Sequence, residues 1–157
     1  MACEIERKFL VDSNKLQLPE NGVRIEQSYI VRTQQLTLRL RRAGNRYFMT
    51  LKGSSNGISR SEFEYEIPEN DYLDMLQEFR SGESLAISKT RYYIPCGNHT
   101  WEVDIFDGEN SGLAVAEIEL QSEDDLFEMP DWVTEEVSED HRYRNAYLAG
   151  HPYRSWQ

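Results

Sequence analysis

Seven short stretches of this chain alternate charged and apolar side chains, and most of them carry charge of a single sign. In an extended strand, residues i, i+2 and i+4 share a face. Glu4, Glu6 and Lys8 therefore point together, as do Thr37, Arg39 and Arg41, with Leu36, Leu38 and Leu40 behind them. Thr50 and Lys52 follow, then Glu62, Glu64 and Glu66 opposite Phe63, Tyr65 and Ile67. Lys89 and Arg91 form the fifth set, Glu102 and Asp104 the sixth, and Glu117 and Glu119 the seventh. Trp101, Val103 and Ile105 back the sixth, and Ala116, Ile118 and Leu120 back the seventh. Like charges stacked along one strand face repel. A fold built from such strands must place something of opposite charge among them.

The intervening residues set the order of elements. Strands are expected at 3–11, 24–33, 35–43 and 46–53, the last two joined by a Gly44-Asn45 turn, whose residue types tolerate positive φ. A loop over Gly53 to Ser59 leads into a strand at 60–67. The period then changes: Tyr72, Met75, Leu76 and Phe79 fall at i, i+3, i+4 and i+7, which predicts a helix over 69–80. Asn70 or Asp71 is expected to cap it and Gly82 to end it. Strands resume at 85–95, 99–107 and 113–122, turning at Gly97-Asn98 and Asp107-Gly108. A short helix near 123–129 is expected to stop before Pro130, and a last helix to run over 138–150 from a Ser138 cap. About eight antiparallel strands with few helices make an α+β chain dominated by a β-barrel, 157 residues forming one domain. If the charged faces line the inside, the apolar outer faces need helices as cover.

Bulk charge restricts the partners. A net charge of −11 argues against a nucleic-acid surface, which requires a basic face for phosphate neutralisation. No apolar run approaches the roughly 20 residues of a membrane span, and the N-terminus does not read as a secretion signal. Cys3 and Cys96 belong to no CxxC pair and read as free thiols of a reducing cytoplasm. His99, His141 and His151 lack zinc-ligand spacing and read as surface residues. No indication of oligomeric state is present.

Taken singly, each alternating strand is a solvated sheet face, and Arg7 and Glu66 are read that way. Jointly they separate into acidic and basic sets. Ion pairing between the sets balances them without any ligand. The alternative is a small, highly charged anion: Arg offers forked donors and Lys a point charge to phosphate oxygens. The pairs Glu4/Glu6, Glu102/Asp104 and Glu117/Glu119 have the oxygen donors that a hard divalent cation takes. Such a cation bridges phosphate oxygens and activates water. No Gly-x4-Gly-Lys-Ser/Thr loop is present, so P-loop chemistry is excluded.

In this setting the chain resembles the CYTH superfamily, the triphosphate tunnel metalloenzymes. Glu4-Ile5-Glu6-Arg7-Lys8 matches the family's N-terminal ExExK signature. Leu38-Arg39-Leu40-Arg41, Thr50-Leu51-Lys52-Gly53, Arg60-Ser61-Glu62-Phe63-Glu64, Lys89-Thr90-Arg91, Glu102-Val103-Asp104 and Glu117-Ile118-Glu119 follow in order. The stretch Tyr143-Arg144-Asn145-Ala146-Tyr147-Leu148 resembles the family's C-terminal segment. The resemblance implies an eight-stranded antiparallel tunnel with a charged lumen and helices packed outside, cleaving a triphosphate with Mg²⁺ or Mn²⁺. Glu4, Glu6 and Glu119 would hold the catalytic metal with Glu117 beside them. Glu62, Glu64, Glu102 and Asp104 would serve a second metal or position water. Lys8, Arg39, Arg41, Lys52, Lys89 and Arg91 would grip the substrate, Lys8 also in a catalytic part, and Tyr29 resembles a proton-accepting tyrosine. The small size of the chain favours inorganic tripolyphosphate. The alternatives are a nucleoside or thiamine triphosphatase, an adenylyl cyclase, and a polyphosphate-binding protein without turnover.

Overall fold

A computed structural model describes residues 2–79 and 86–156 of the chain. The strands are β1 (Cys3–Val11), β2 (Val23–Arg32), β3 (Leu36–Ala43), β4 (Arg46–Asn56), β5 (Ser59–Glu66), β6 (Ala86–Cys96), β7 (His99–Phe106), β8 (Ala114–Glu119) and β9 (Val133–Glu136). Two α-helices, α1 (Glu69–Phe79) and α2 (Asn145–Gly150), accompany them. All pairings are antiparallel, and the order β5-β4-β3-β2-β6-β7-β8-β1 closes on itself through β1 and β5. The expected eight-stranded barrel is thus present, with β9 as an additional short strand. Closure leaves β1 with a divided edge: residues 3–5 pair with β5, and Phe9 and Val11 pair with β9. Its other edge pairs with β8 from Glu6↔Glu119 to Leu10↔Val115. A closed sheet has no free edges to template association.

Apolar residues on the outer faces are covered by two different devices. Helix α1 lays Tyr72, Met75 and Leu76 on Leu40, Tyr47 and Met49, as the helical period predicts, while Phe79 stays exposed. The helix begins one residue earlier than its expected caps: the Pro68 carbonyl accepts from the Tyr72 N–H, and Asn70 and Asp71 lie inside the first turn. The expected stop at Gly82 lies outside the described residues. Over β1, β7 and β8 the cover is an irregular segment, not the helix expected near 123–129. There Phe127 packs edge-on against Phe9 and Trp101, and Trp132 against Trp101. Asp125 explains the lost helix, because its carboxylate accepts the Gln121 N–H and faces His99 Nε2 at 3.2 Å. Side-chain bonds thereby replace the backbone ladder.

Two further expectations give way to local chemistry. The stretch 53–59 is mostly strand: β4 runs on to Asn56, turns at Gly57 (φ +64°), and Arg60 donates twice to the Gly53 carbonyl. The C-terminal helix is broken into a 3-10 turn, His141–Tyr143, and α2, with extended Arg144 between them. Ser138 caps neither, since its hydroxyl accepts from the Lys8 N–H and donates to Glu136. Asp140 caps the turn instead.

The third apolar cluster lies on the inward face. Ile87, Phe106 and Val115 share strand parity with Lys89, Asp104 and Glu117, and they pack with Tyr29, Leu113, Leu148 and Ala149. Helix α2 thus covers one side of an end of the barrel with apolar side chains, while the lumen beyond is charged. Among the described residues no helix is long and apolar enough to cross a membrane. Leu148 is fully buried in that cover. Leu148→Ala is expected to lower the free energy of unfolding by about 2–5 kcal/mol through lost contacts and the cavity left behind. Leu126→Ala, at a largely exposed site, should stay within about 0.5 kcal/mol. Urea titration of both variants checks the pair.

Candidate active site

Strand order sorts the inward charges into two halves. Neighbouring strands β7, β8, β1 and β5 carry Glu102, Asp104, Glu117, Glu119, Glu4, Glu6, Glu62 and Glu64. Strands β4, β3 and β6 carry Lys52, Arg39, Arg41, Lys89 and Arg91, and β2 between them presents Gln27 and Tyr29. Lys8 is the exception, a cation on the acidic side. The halves meet at two seams. At the first, Lys52 pairs opposite Glu62 and its ammonium lies 3.3 Å from that carboxylate and 3.1 Å from Glu4. Thr50 donates to Glu64 at 2.8 Å.

The second seam is deeper. Asp104 is fully buried, receives Lys89 Nζ at 2.7 Å, and accepts both ends of the Arg91 fork at 2.8 and 2.9 Å. Arg91 also reaches Glu102 at 3.1 Å and Glu117 at 3.8 Å. Burial pushes Asp104 upward, but Lys89 and Arg91 outweigh it and hold the carboxyl below its usual range. Glu117 is likewise held well down, against burial, by Lys8, Arg91 and Lys89. Burial wins for Lys89, which is lowered to about 8 despite Asp104. Arg41 is lowered to about 10 by burial and by the neighbouring Arg39 and Arg91.

Opposite behaviour marks the acidic half. Glu6 is pushed up to about 8 by burial, then by the charges of Glu117 and Glu4. Glu4 is raised by burial in spite of Lys52, and Glu62, which accepts a hydrogen bond from Glu4, is lowered. The cluster is therefore short of positive charge. Glu119 stands opposite Glu6 in the ladder and is exposed. Among the described residues no three acids or histidines are preassembled as a cation cage. Lys52, Lys8 and Arg91 occupy their oxygens instead.

The basic half is short of acceptors. Arg39 Nε and Gln27 Nε2 are buried donors without a hydrogen-bond partner. Arg39 pairs opposite Tyr29, and the Tyr29 hydroxyl holds its guanidinium against the effect of burial. Gln27 fixes Arg41 through a 3.1 Å bond from Nε to Oε1. Sequence reasoning passed over Gln27, although its place two residues before Tyr29 puts it on the same strand face. Arg60, Arg144 and Asn145 were also passed over. They close the lumen beside Glu4, Glu6, Lys8, Arg39 and Lys52, around a space of about 70 Å³. Asn145 Oδ1 receives Lys89 at 3.3 Å, and the Tyr143 carbonyl receives Lys8 at 3.0 Å. No periodic signal marks these last residues, because the C-terminal segment reaches the lumen as an irregular chain. Arg7 and Glu66 lie off it, paired with Glu136 and Arg46. His99, His141 and His151 lie off the charged lumen as well.

The CYTH domain family model matches residues 2–146. An inorganic triphosphatase of Acetivibrio thermocellus is 41% identical over 157 residues, covering 100% of this chain and 99% of that protein. An inorganic triphosphatase of Nitrosomonas europaea is 42% identical over 154 residues, covering 93% and 96%. A crystal structure of an inorganic triphosphatase superposes with a TM-score of 0.64 at 39% identity, over 92% of this chain and 96% of that one.

The two charge environments predict opposite effects of neutralising one carboxyl. Asp104→Asn strands two buried cations and should reduce stability by about 3–5 kcal/mol. Glu6→Gln removes a crowded acid and should leave the melting temperature at pH 7 unchanged or raised. Thermal and urea unfolding in EDTA compare them, and equal losses at both positions would contradict the picture.

Proposed function

The chain belongs to the CYTH family, and from that premise we infer that it is a triphosphatase cleaving inorganic tripolyphosphate to diphosphate and phosphate inside the barrel. The observation that carries this reading is the pair of complementary deficits in one lumen. Buried donors at Arg39 and Gln27 lack an acceptor, and Glu6, half-buried and crowded by Glu117 and Glu4, is in no ion pair among the described residues. A phosphate chain supplies the first and a divalent metal ion the second. Carboxylate oxygens are the donor set that Mg²⁺ or Mn²⁺ prefers, so the residues fit such an ion.

Glu4, Glu6 and Glu119, with Glu117 beside them, would hold the metal. When bound, it withdraws charge from phosphate oxygens and makes water a better nucleophile. Glu62, Glu64, Glu102 and Asp104 are the candidates for a second ion or for holding water, of which Asp104 is taken up by Lys89 and Arg91 and Glu64 by Thr50. Arg39, Arg41, Lys52, Lys89, Arg91 and Lys8 grip the phosphate oxygens. On binding, they exchange carboxylate partners for phosphate, which returns the carboxylates to the metal side. Attack of water on a terminal phosphorus breaks the P–O bond to the departing diphosphate. The fixed cations stabilise the charge that accumulates there without having to reorganise. As a phenolate beside the Arg39 guanidinium, Tyr29 Oη would take the proton of the attacking water and become the neutral phenol. Lys8 Nζ, 3.3 Å from Glu117, stands where the reacting phosphoryl group is neutralised. Free Cys3 and Cys96 suit a reducing cytoplasm.

Phosphate release from tripolyphosphate, ATP and thiamine triphosphate tests the reading. Release is expected with Mg²⁺ or Mn²⁺, fastest from tripolyphosphate, and absent in EDTA. Glu6→Gln should reduce kcat by at least about 10²-fold, and a wild type inert toward all three compounds would overturn the assignment. Tyr29→Phe should lower kcat by about 10²-fold with little change in KM. A fall in substrate affinity alone would make Tyr29 a binding residue.

A further inference from the structure

Every cation assigned above to the phosphate chain already faces a carboxylate. Three arginines outside that set do not. Arg32, Arg60 and Arg144 converge on a cavity of about 580 Å³ at the end of the barrel beside α2, with His141 on its wall. No aspartate or glutamate lines it, and among the described residues none of the three arginines is in an ion pair. In a chain with 28 acidic residues against 17 Lys and Arg, such a gathering is unusual. Part of two of the forks is spent on the backbone: Arg32 donates to the Ala146 carbonyl at 2.8 Å, and Arg60 to that of Gly53 at 3.0 and 2.7 Å. These bonds fix the Arg32 and Arg60 guanidinium groups without placing either in an ion pair. Burial and the nearby Arg144 hold Arg60 below the usual guanidinium range, against the pull of Glu4.

The cavity adjoins the lumen. Thr37, Ser55, Arg60, Arg144 and Ala146 line both spaces. Lumen carboxylates that reach solvent, Glu64 and Glu119, are absent from its wall. A multiply charged anion approaching a chain of net charge −11 is repelled over a Debye length of about 8–10 Å. It needs a local basic surface to overcome that field, and a cleft with low-dielectric walls focuses such a surface.

We propose that this carboxylate-free vestibule is the port for the oligophosphate, a metal-independent capture site that takes the phosphate chain before it passes to the lumen. The proposal rests on the triphosphatase reading and adds to it a route and a division of labour. Arg32, Arg60 and Arg144 act on capture, and the paired lumen cations act on the seated chain.

The test compares wild type with Arg32→Gln and with the charge-retaining Arg32→Lys, using tripolyphosphate across a range of ionic strength. The Gln variant is expected to lose about tenfold in kcat/KM at low salt, with kcat within about twofold. Its salt dependence should be flatter than that of wild type, so that the two converge at high salt. The Lys variant should recover most of kcat/KM. Parallel salt curves, or a loss confined to kcat, would overturn the proposal. Wild-type turnover reports separately on the triphosphatase reading. If the wild type releases no phosphate, calorimetric binding of tripolyphosphate in EDTA decides the vestibule's role. At least about fivefold weaker binding by the Gln variant at low salt, lost at high salt, supports it, and equal binding removes it.

Discussion

Asp104 lies fully buried between the Lys89 ammonium and the Arg91 fork, and the architecture follows from the need to satisfy such groups. A carboxylate or ammonium taken out of water loses several kcal/mol of solvation unless a partner replaces it. The barrel meets that need by closing the sheet so that acidic strands β7, β8, β1 and β5 face basic strands β4, β3 and β6. Opposite charges become neighbours where β5 meets β4 and where β6 meets β7.

The pairing is incomplete, and the shortfall is what makes the interior reactive. Burial, then the charges of Glu117 and Glu4, push Glu6 up to about 8, and Arg39 and Gln27 keep donors without acceptors. An interior with every charge matched would be merely a stable core. One with acceptors missing on the basic side and a cation missing on the acidic side is poised for a metal–phosphate complex. In the proposed reaction, binding would exchange partners and fill both deficits. The Arg32, Arg60 and Arg144 vestibule extends the same logic outward, with excess positive charge where an anion must first be drawn in.

Most of the fold was legible because a strand's period of two is exposed directly in the residue order. Leu36, Leu38 and Leu40 against Thr37, Arg39 and Arg41 admit one reading, and the structure places Thr37, Arg39 and Arg41 inward and Leu40 under α1. Segments that did not follow expectation are those whose conformation is set by side-chain bonds. Asp125 ties 121–125 down in place of a helix, and Ser138 turns toward Lys8 and Glu136 in place of capping one. Local propensity has no access to His99 for Asp125 or to Lys8 for Ser138, which lie far away in the chain. Gln27 was within reach of the strand period but carries no charge to draw notice. Arg144 and Asn145 were not, since an irregular segment has no period.

By itself the amino-acid sequence determined the strands, their charged and apolar faces, and the existence of separate acidic and basic sets, because alternation along an extended chain is a local property. It also carried enough ordered motifs to resemble one family. Only tertiary structure decided which set faces which, since neighbours around a barrel are fixed by long-range hydrogen bonding between strands. It alone decided that α2 covers one side of an end of the lumen against inward apolar residues, and that three arginines line a cavity beside it without carboxylates. Whether a charge is matched depends on distance in space, and the order of residues does not contain that distance.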